Sequence, residues 1–250
     1  MTSTLNSDKQ NTSKISIIIV TLNSAAYLQK CLDSIFSQKY PNLELVILDG
    51  KSTDGTQEIL QQNNDKITFW QSKPDDGIYD AMNKALDHIT GDWVYFLGSD
   101  DVLLEDFSEL ALRVTNPSKI YYANVLLKKK KYRGKVDAYM HAKATVCHQA
   151  MIYPRRVFDK HRFNTRYRTS ADHDLNMRCW GDREFKFHYE DLIIANYNHT
   201  GASSTPDVVF NKEKAGLILK NHGVVTWARF MFKKLKLMIN PQPIWEEDDE

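Results

Sequence analysis

The segment that most constrains the fold runs from Gly91 to Asp101, where five bulky residues are followed by a glycine and, soon after, by two adjacent aspartates. The run from Trp93 to Leu97 is apolar and continuous, which is typical of a strand buried on both faces in a parallel sheet. Open α/β sheets bind their ligands beyond the carboxyl ends of such strands. Asp100 and Asp101 are therefore predicted to lie where this kind of fold has its site.

The two adjacent carboxylates allow two interpretations. Like charges side by side repel unless a cation neutralises them, and Mg²⁺ is typically held by one or two carboxylates together with substrate phosphates. Alternatively, the pair belongs to a solvated turn in which Ser99 or Asp101 caps a helix that begins near Leu103. The rest of the chain favours the ligand-binding interpretation.

Apolar strand patterns and amphipathic helix patterns alternate along the first hundred residues. Such alternation predicts an α/β fold with a mainly parallel sheet flanked by helices and right-handed crossovers. The predicted strands cover residues 15–20, 43–48, 67–70 and 93–97, and the helices between them begin after Ser24 as the cap, near Thr56 and at Ile78, the last continuing to Ile89. Further on, the sequence predicts a helix at 103–114, a strand at 119–127, a hairpin turn at 128–133, a strand at 150–153 and helix after Pro206.

We expect one domain at residues 15–205, whose α/β half binds a ligand and whose second half completes the site. Residues 1–14 are polar, so they are predicted to be disordered and lack the apolar core of a signal peptide. Residues 206–250 are predicted to form a helical extension that ends in an acidic tail at 246–250.

Charge, cysteine content and hydropathy exclude several classes of protein. A net charge of +1 leaves no footprint for nucleic acid. The three cysteines are far apart, so they have no metal-binding spacing and favour a reducing compartment. No apolar run reaches the ~18 residues that a membrane span needs. Together these observations predict a cytoplasmic protein.

Polar residues follow three of the predicted strands: Thr21 to Asn23, Asp49 to Thr56, and Asp100 with Asp101. Acids on neighbouring strand ends suit a nucleotide, because one can accept hydrogen bonds from a base or ribose while another holds a metal on the phosphates. The first strand is not followed by Gly-x-Gly-x-x-Gly, and the chain has no Walker sequence. A nicotinamide cofactor and a phosphate-binding P-loop are therefore both disfavoured.

Four blocks of the sequence, taken in order, resemble family 2 glycosyltransferases of the Rossmann-like GT-A fold, and in particular the bacterial branch that builds capsule, exopolysaccharide and lipopolysaccharide. The blocks lie at residues 17–23, 48–56, 76–84 and 96–101. The resemblance implies a nucleotide-sugar donor, Mn²⁺ or Mg²⁺ as cofactor, and an inverting single displacement. It also implies a glycan or a lipid-linked saccharide as acceptor, at the inner face of the cytoplasmic membrane.

By this resemblance, Asp49 matches the acid that contacts the base, and Thr21 and Asn23 belong to the donor-binding block. Asp100 and Asp101 match the end of the motif that binds metal and ribose.

The chain departs from the family pattern at two of these positions. Gly50 stands where many members have a second aspartate, and Gly98 where many have the first acid of Asp-x-Asp. We therefore expect the metal to be held chiefly by Asp101 and the diphosphate.

The block at 76–84 coincides with a predicted helix start, where free N–H groups favour an anion such as a sugar diphosphate. In related enzymes this segment borders the donor sugar, so Asp80 and Asn83 are candidates for donor binding. Two other interpretations stay open. Asp76 can simply complement the helix dipole, and Asp80 and Asn83 can lie on the solvated face of an amphipathic helix.

An inverting transfer needs a base that takes the proton of the acceptor hydroxyl. Residues 170–178 resemble the family's Glu-Asp-x-Asp-Leu-x-x-Arg block, with Ala171 in place of the usual glutamate, and Asp172 matches the base. The alternative is that Asp172 caps a helix. Asp174 and Arg178, four residues apart, are expected to pair on that helix.

Two histidines have weaker assignments. His148, followed by Gln149, resembles a segment that lines the acceptor side, but a satisfied core histidine is equally consistent. His199 precedes residues 200–204, which resemble a late Gly-Gly-x-Ser loop. Some GT-A enzymes recruit a late histidine to the metal, but a lone histidine has many other uses.

The predicted C-terminal helix has an apolar face formed by Val224, Trp227, Met231, Leu235 and Met238, with Arg229, Lys233 and Lys236 opposite. This pattern suits peripheral contact with an anionic membrane, and it suits a helix whose apolar face packs on the domain.

Two other functions are considered. One is a catalytically inactive, nucleotide-sugar-binding assembly subunit, which Gly98 and Ala171 would favour. The other is a nucleotidyltransferase, although residues 21–26 lack the glycine-rich basic loop of that class.

Overall fold

The computed structural model describes residues 13–198 and 205–239, and these residues form nine strands and eight helices. The strands are β1 Ile15–Thr21, β2 Leu43–Asp49, β3 Phe69–Ser72, β4 Trp93–Gly98, β5 Val102–Leu103, β6 Lys119–Leu127, β7 Lys130–Tyr132, β8 Met151–Pro154 and β9 Lys186–Tyr197. The helices are α1 Ala25–Phe36, α2 Thr56–Gln62, α3 Ile78–Ala85, α4 Asp106–Arg113, α5 Ala138–Lys143, α6 Arg156–Lys160, α7 Ala171–Gly181 and α8 Val208–Ile239. A short 3₁₀ turn covers His148–Ala150.

All strands that the structure describes belong to one sheet, in the order β3-β2-β1-β4-β8-β6-β9-β5, with β7 paired to β6. The first four strands are parallel, as predicted, because a helix lies between each of them and the next and returns the chain to the same edge. The apolar residues of β1, β2 and β4 are mostly buried on both faces, whereas β3 is only partly buried. Ile15, Ile17 and Ile19 of β1 are fully buried. This half of the sheet fixes where the strand ends meet.

The second half of the sheet is mixed. β8 lies between β4 and β6 and is antiparallel to both, whereas β6 and β9 are parallel. Beneath the junction of β4 and β8, Phe96 packs edge-on against Tyr153, Phe158 and Phe163. This aromatic cluster joins the two halves of the chain into one core.

Several predicted boundaries differ from the structure. The third strand is Phe69–Ser72, two residues later than predicted, and the helix from Ile78 stops at Ala85. The helix predicted from Leu103 begins at Asp106, because Val102 and Leu103 form a short strand against β9. In the predicted hairpin, the turn itself is only Lys128 and Lys129, both with positive φ, while 130–132 is strand.

Ser24 precedes α1 as predicted, but its side chain makes no capping hydrogen bond. Its hydroxyl instead lies 2.9 Å from that of Ser99, and Asp54 accepts the backbone N–H of Ala25 at 3.0 Å. The helix end is therefore satisfied by a residue from the next loop.

The predicted division at residue 205 stays a prediction. Helix α8 begins at Val208 and buries Phe210 and Ile218 in the core of the preceding domain. The predicted disordered N-terminus, apart from residues 13 and 14, and the acidic tail lie outside the described residues.

A cluster of three histidines fastens the first half of α8 to helices α5 and α7. The Nδ1 of His141 lies 3.0 Å from the Nε2 of His222, and His173 Nε2 lies 3.2 Å from the carbonyl oxygen of His141. The rings of His141 and His222 both pack on Trp180. Burial lowers the pKa of His222 to about 4, and burial together with the charge of Lys214 lowers that of His173 to about 3.

Acidification is therefore expected to destabilise the protein. Between the ordinary histidine pKa and these lowered values, the unfolded chain binds protons that the folded chain does not, so stability falls as the pH falls from about 6.5 toward 4. Each such histidine contributes up to about 1.4 kcal/mol per pH unit. Melting temperatures of the parent and of His222→Asn across this range measure the slope, which should be shallower in the variant. The exposed His88, replaced by asparagine, is the control, and a parent melting temperature independent of pH would contradict the expectation.

Candidate active site

The ends of the parallel strands bring the predicted site residues into one row. Thr21 is the register partner of Asp49 on the neighbouring strand, and Asp49 is in turn the partner of Ser72. On the other side of β1, Val20 pairs with Gly98, two residues before Asp100. The buried hydroxyl of Thr21 has no hydrogen-bond partner within the described residues. The convergence predicted from the sequence is therefore observed, and it leaves a polar atom without a partner.

The carboxylate of Asp49 is almost fully buried and organises its own loop. Its Oδ2 accepts hydrogen bonds from the backbone N–H of Ser52 at 2.9 Å and from the Ser72 hydroxyl at 2.6 Å, and its Oδ1 accepts the Ser52 hydroxyl. Asn23, whose backbone has the left-handed conformation, stabilises the same loop. Its Oδ1 accepts a hydrogen bond from the backbone N–H of Thr53 at 3.0 Å. Contacts of Asp49 and Asn23 with a donor stay predictions.

A cavity of about 280 Å³ opens beside Asp49, between the ends of β2 and β3 and helix α3. It is lined by Leu48, Asp49, Gln71, Lys73, Pro74, Asp75, Ala81, Lys84, Asp87 and His88. The lining combines one buried and several accessible polar groups with apolar walls, which suits a small polar ligand. The acid pair Asp100–Asp101 and Asp172 are not part of this cavity.

Asp75 fills the space of a family acid that this chain lacks. A Cβ added to Gly50 would lie 2.8 Å from the Oδ2 of Asp75. The other oxygen of Asp75 accepts the N–H of Gly77 at 2.9 Å. A carboxylate is thus present near position 50, delivered from the loop after β3.

The two adjacent aspartates have different surroundings. Asp101 is 1% exposed and accepts three hydrogen bonds: from the backbone N–H groups of Gly98 and Asn198 at 3.1 and 2.8 Å, and from the Gln149 amide at 2.9 Å. Asp100 is only half-buried. Among the described residues, no basic or hydrogen-bonding side chain pairs with its carboxylate. Burial raises the pKa of both carboxyls.

The acid pair also fills the space that an acid at position 98 would occupy. A Cβ on Gly98 would lie 2.5 Å from the Oδ2 of Asp101 and 3.0 Å from the Oδ1 of Asp100. The space that a side chain at 98 would use is therefore already filled by carboxylate oxygens.

The acid pair leaves one accessible carboxylate, that of Asp100, for a divalent cation. The residues that the structure describes contain no group of three or more histidine, cysteine or acidic side chains arranged for a metal. The oxygens of Asp101 are already used by the protein, whereas those of Asp100 are accessible. One carboxylate with the phosphates of a bound donor is sufficient for Mg²⁺, and nearby the buried Oε1 of Gln149 lacks a partner within the described chain. The site thus fits a cation held by Asp100 and substrate, and the geometry favours Asp100 over the predicted Asp101.

Asp80 and Asn83 both make contacts within the protein. Asp80 accepts the backbone N–H of Asp76 at 3.0 Å and pairs with Lys84 at 2.6 Å. Asn83 exchanges two hydrogen bonds with the backbone of Phe163, at 2.9 and 3.0 Å. These contacts hold the start of α3 and fasten it to the segment before α7. A role of either side chain toward a donor stays a prediction.

Asp172 lies in the first turn of α7, two residues after Ser170, which is the residue at the cap position. Asp172 is 7% exposed. Oδ1 accepts a hydrogen bond from the Tyr79 hydroxyl at 3.1 Å and from the backbone N–H of His173 at 2.8 Å. Asp172 is therefore not a helix cap. It is held from α3, the helix of the predicted donor-binding block.

His148 lies beside Asp172 and acts electrostatically on the acid pair. Its Nδ1 lies 3.6 Å from the Oδ2 of Asp172, slightly beyond hydrogen-bond distance, and is buried without a hydrogen-bond partner in the described chain. Burial raises the pKa of Asp172, but the nearby imidazoles of His148 and His173 and the His173 N–H outweigh it, so the pKa is lowered. The charge of His148 also acts on Asp100 and Asp101, opposing the effect of burial. The imidazole of His148 therefore lies beside a buried carboxylate, and its charge also acts on the acid pair.

The family model described as glycosyl transferase family 2 matches residues 16–183, about two thirds of the chain. The chain belongs to family 2 of the glycosyltransferases. A relative from Mycobacterium bovis is named PGL/p-HBAD biosynthesis glycosyltransferase. It is 38% identical over an alignment of 211 residues, and the alignment covers 79% of this chain and 81% of that protein.

Solved structures confirm the GT-A fold of this glycosyltransferase. Staphylococcus aureus TarS 1–349 in complex with UDP-GlcNAc superposes with a TM-score of 0.70 at 18% identity, over 92% of this chain and 76% of the other. A mannosyltransferase from Pyrobaculum calidifontis, in complex with GDP-Man and Mn²⁺, gives 0.62 at 15% identity, over 92% and 81%. At these identities the likeness establishes the fold alone.

Sequence reasoning missed three contacts of this glycosyltransferase: Asp75 near Gly50, Tyr79 on Asp172, and Gln149 on Asp101. Tyr79 lies inside the block at 76–84, so its position there is a signal that could have been used. Asp174 and Arg178 pair at 2.9 Å, as predicted. The candidate metal ligand His199 and residues 200–204 lie outside the described residues.

Proposed function

We propose that this glycosyltransferase transfers a sugar, with inversion, from a nucleotide-sugar donor to a hydroxyl of a lipid-linked or oligosaccharide acceptor. The observation that carries the proposal is the environment of Asp172. It is a buried carboxylate with a lowered pKa, so it is ionised and able to accept a proton at neutral pH. The Tyr79 hydroxyl on α3 donates a hydrogen bond to it, and the Nδ1 of His148 lies 3.6 Å from its Oδ2.

In the proposed step, the acceptor hydroxyl attacks the anomeric carbon of the donor sugar while Asp172 takes the hydroxyl proton. The bond from that carbon to the diphosphate breaks, and the nucleoside diphosphate leaves with the electron pair. A single displacement of this kind inverts the anomeric configuration. It needs one base within hydrogen-bond reach of the acceptor hydroxyl.

Asp100, together with the donor phosphates, would hold Mn²⁺ or Mg²⁺, which when bound stabilises the negative charge of the leaving diphosphate. Thr21 offers beside the same strand ends a hydroxyl that has no hydrogen-bond partner among the described residues. Asp49 and the neighbouring cavity would accommodate the nucleoside, with Asp75 as an additional acceptor near Gly50.

The acceptor class and location are inferred from relatives. Their names, as in PGL/p-HBAD biosynthesis, support a product of the glycolipid or surface-polysaccharide kind, which includes capsule and lipopolysaccharide. We accordingly place the reaction at the inner face of the cytoplasmic membrane.

Family membership favours glycosyl transfer over nucleotidyl transfer. An inactive subunit is less well supported, since carboxylate oxygens occupy the space beside Gly98 and Asp172 is retained.

A thermal-shift panel tests the proposal. We expect UDP- or GDP-sugars, with Mn²⁺ present, to raise the melting temperature by several degrees, because a ligand at 100 times its Kd stabilises the native state by about 2.7 kcal/mol. The shift should shrink without the metal. The corresponding sugar phosphates, which lack the nucleoside, are the control. If no nucleotide-sugar stabilises the protein with or without metal, the proposed donor class is wrong.

A further inference from the structure

The second half of α8 presents its apolar side away from the protein. The helix kinks at Gly223, whose φ of 81° and ψ of 172° are non-helical. From there, residues 224–239 meet the domain through Thr226, which is buried, and through Trp227 and Phe230, which are partly buried. At 3.6 residues per turn, residues 225, 228, 232, 235 and 239 lie on the opposite side of the helix.

The exposed fractions agree with this geometry. In a helix packed on a domain, large apolar side chains face the interior. Seven such side chains of this segment are instead exposed: Val224 63%, Val225 81%, Phe232 70%, Leu235 54%, Leu237 57%, Met238 72% and Ile239 74%. Of the predicted apolar face, Trp227 packs partly buried against the core and Met231 is partly buried. The other three residues of that face, Val224, Leu235 and Met238, are exposed, so the face packs on the domain only around Trp227.

Basic residues border the exposed apolar side. The segment contains Arg229, Lys233, Lys234 and Lys236 and no acidic residue. The Arg229 guanidinium lies 4.1 Å from the centre of the Tyr139 ring and the Lys233 ammonium 4.9 Å from it, so these two cations face α5. Lys234 and Lys236 are exposed along the two edges of the apolar side.

We propose that residues 224–239 form an interfacial helix that lies on an anionic membrane, with Phe232, Leu235 and Met238 in the acyl boundary and Lys234 and Lys236 at the headgroups. An apolar face bordered by lysines is the pattern of helices that lie in the membrane interface. A second copy of the chain would bring like charges together. Within residues 13–198 and 205–239, no helix is long and apolar enough to cross a bilayer.

This inference deepens the proposed function, because a lipid-linked acceptor would reach the site from such a surface. The first half of α8 packs against α7, the helix whose first turn contains Asp172. The membrane helix and the proposed base are thus connected through packed elements.

Co-sedimentation of the full chain with vesicles tests the proposal. We expect the parent to pellet at low salt with phosphatidylcholine vesicles that contain phosphatidylglycerol, and to pellet far less as salt rises. The double variant Lys234→Glu/Lys236→Glu should bind at least about 30-fold more weakly, since each basic residue near an anionic surface contributes roughly a factor of five. The triple variant Phe232→Ser/Leu235→Ser/Met238→Ser should lose binding.

The chain provides a matched control. Lys129 and Lys130 are exposed in the β6–β7 hairpin, so Lys129→Glu/Lys130→Glu makes the same charge change elsewhere and should leave vesicle binding unchanged. Removal of residues 240–250, with their acidic end, should preserve or strengthen binding.

Three results would overturn the proposal: a parent that stays in the supernatant at low salt, a control that loses binding as the helix variant does, or self-association of the parent that the serine variant abolishes while vesicle binding is unchanged. The donor-induced thermal shift and transfer to a soluble acceptor analogue are measured on the same variants. Both should be unchanged, so failure of the membrane inference is distinguishable from failure of the proposed function.

Discussion

Replacing Asp172 with asparagine is expected to lower turnover by about 10²–10⁴-fold, the contribution of a general base, while donor binding and melting temperature stay close to those of the parent. The amide keeps the shape and an acceptor oxygen for the Tyr79 hydroxyl and the His173 N–H, but it cannot take the acceptor proton. Initial rates at saturating donor and acceptor, together with donor-induced thermal shifts, measure the two effects separately.

The matched control for this variant is Asp174→Asn. Asp174 is two residues further along the same helix and pairs with Arg178, so its replacement tests the loss of a nearby buried carboxylate without loss of the base. We expect turnover close to that of the parent once any loss of stability is allowed for. Normal turnover in Asp172→Asn combined with a collapse in Asp174→Asn would move the base to Asp174.

We expect the two acids to have different roles, with Asp100 binding a ligand and Asp101 stabilising the fold. Asp101→Asn is expected to destabilise the protein, because an amide offers one acceptor oxygen where the carboxylate serves three N–H donors. A buried donor left unpaired costs about 1–3 kcal/mol, and each kcal/mol lowers the melting temperature of a chain of this size by about 2–4 °C. Asp100→Asn should instead melt like the parent and lose the metal-dependent part of donor binding.

Melting curves with and without Mn²⁺ and donor, recorded on both variants, check this division. The two variants are each other's control, since they make the same chemical change at adjacent positions. A stable Asp101→Asn variant that no longer binds metal, beside an Asp100→Asn variant that does, would restore Asp101 as the chief ligand.

The sequence predicted well whatever depends on local patterns. The runs at 15–20, 43–48 and 93–97 are strands because continuous apolar residues need burial on both faces. It failed at Val102 and Leu103, which form a strand only through pairing with Ala195 and Asn196, more than ninety residues later. No local pattern contains such a partner.

The same reason explains what was missed in the site. The acids were located correctly at the strand ends, but which of them is free depends on Gln149, in the 3₁₀ turn before β8, and on Asn198, directly after β9. The absence of an acid at Gly98 suggested that a metal ligand is missing. Only the structure shows that Asp101 fills the space that a side chain at position 98 would use. One sequence is therefore enough to predict that acids lie at this site. It is not enough to predict which of two neighbouring aspartates binds a ligand and which one holds the protein together.

The crowding beside Gly98 makes positions 98 and 101 interdependent during evolution. An acid at 98 and the present conformation of Asp101 exclude each other, because the Cβ alone would approach the Asp101 oxygen to 2.5 Å, and three hydrogen bonds hold that oxygen's carboxylate in place. Replacing Gly98 with aspartate alone would therefore strain this loop. An acid at position 98 becomes compatible only with a second change, at Gln149 or Asn198, that lets Asp101 move.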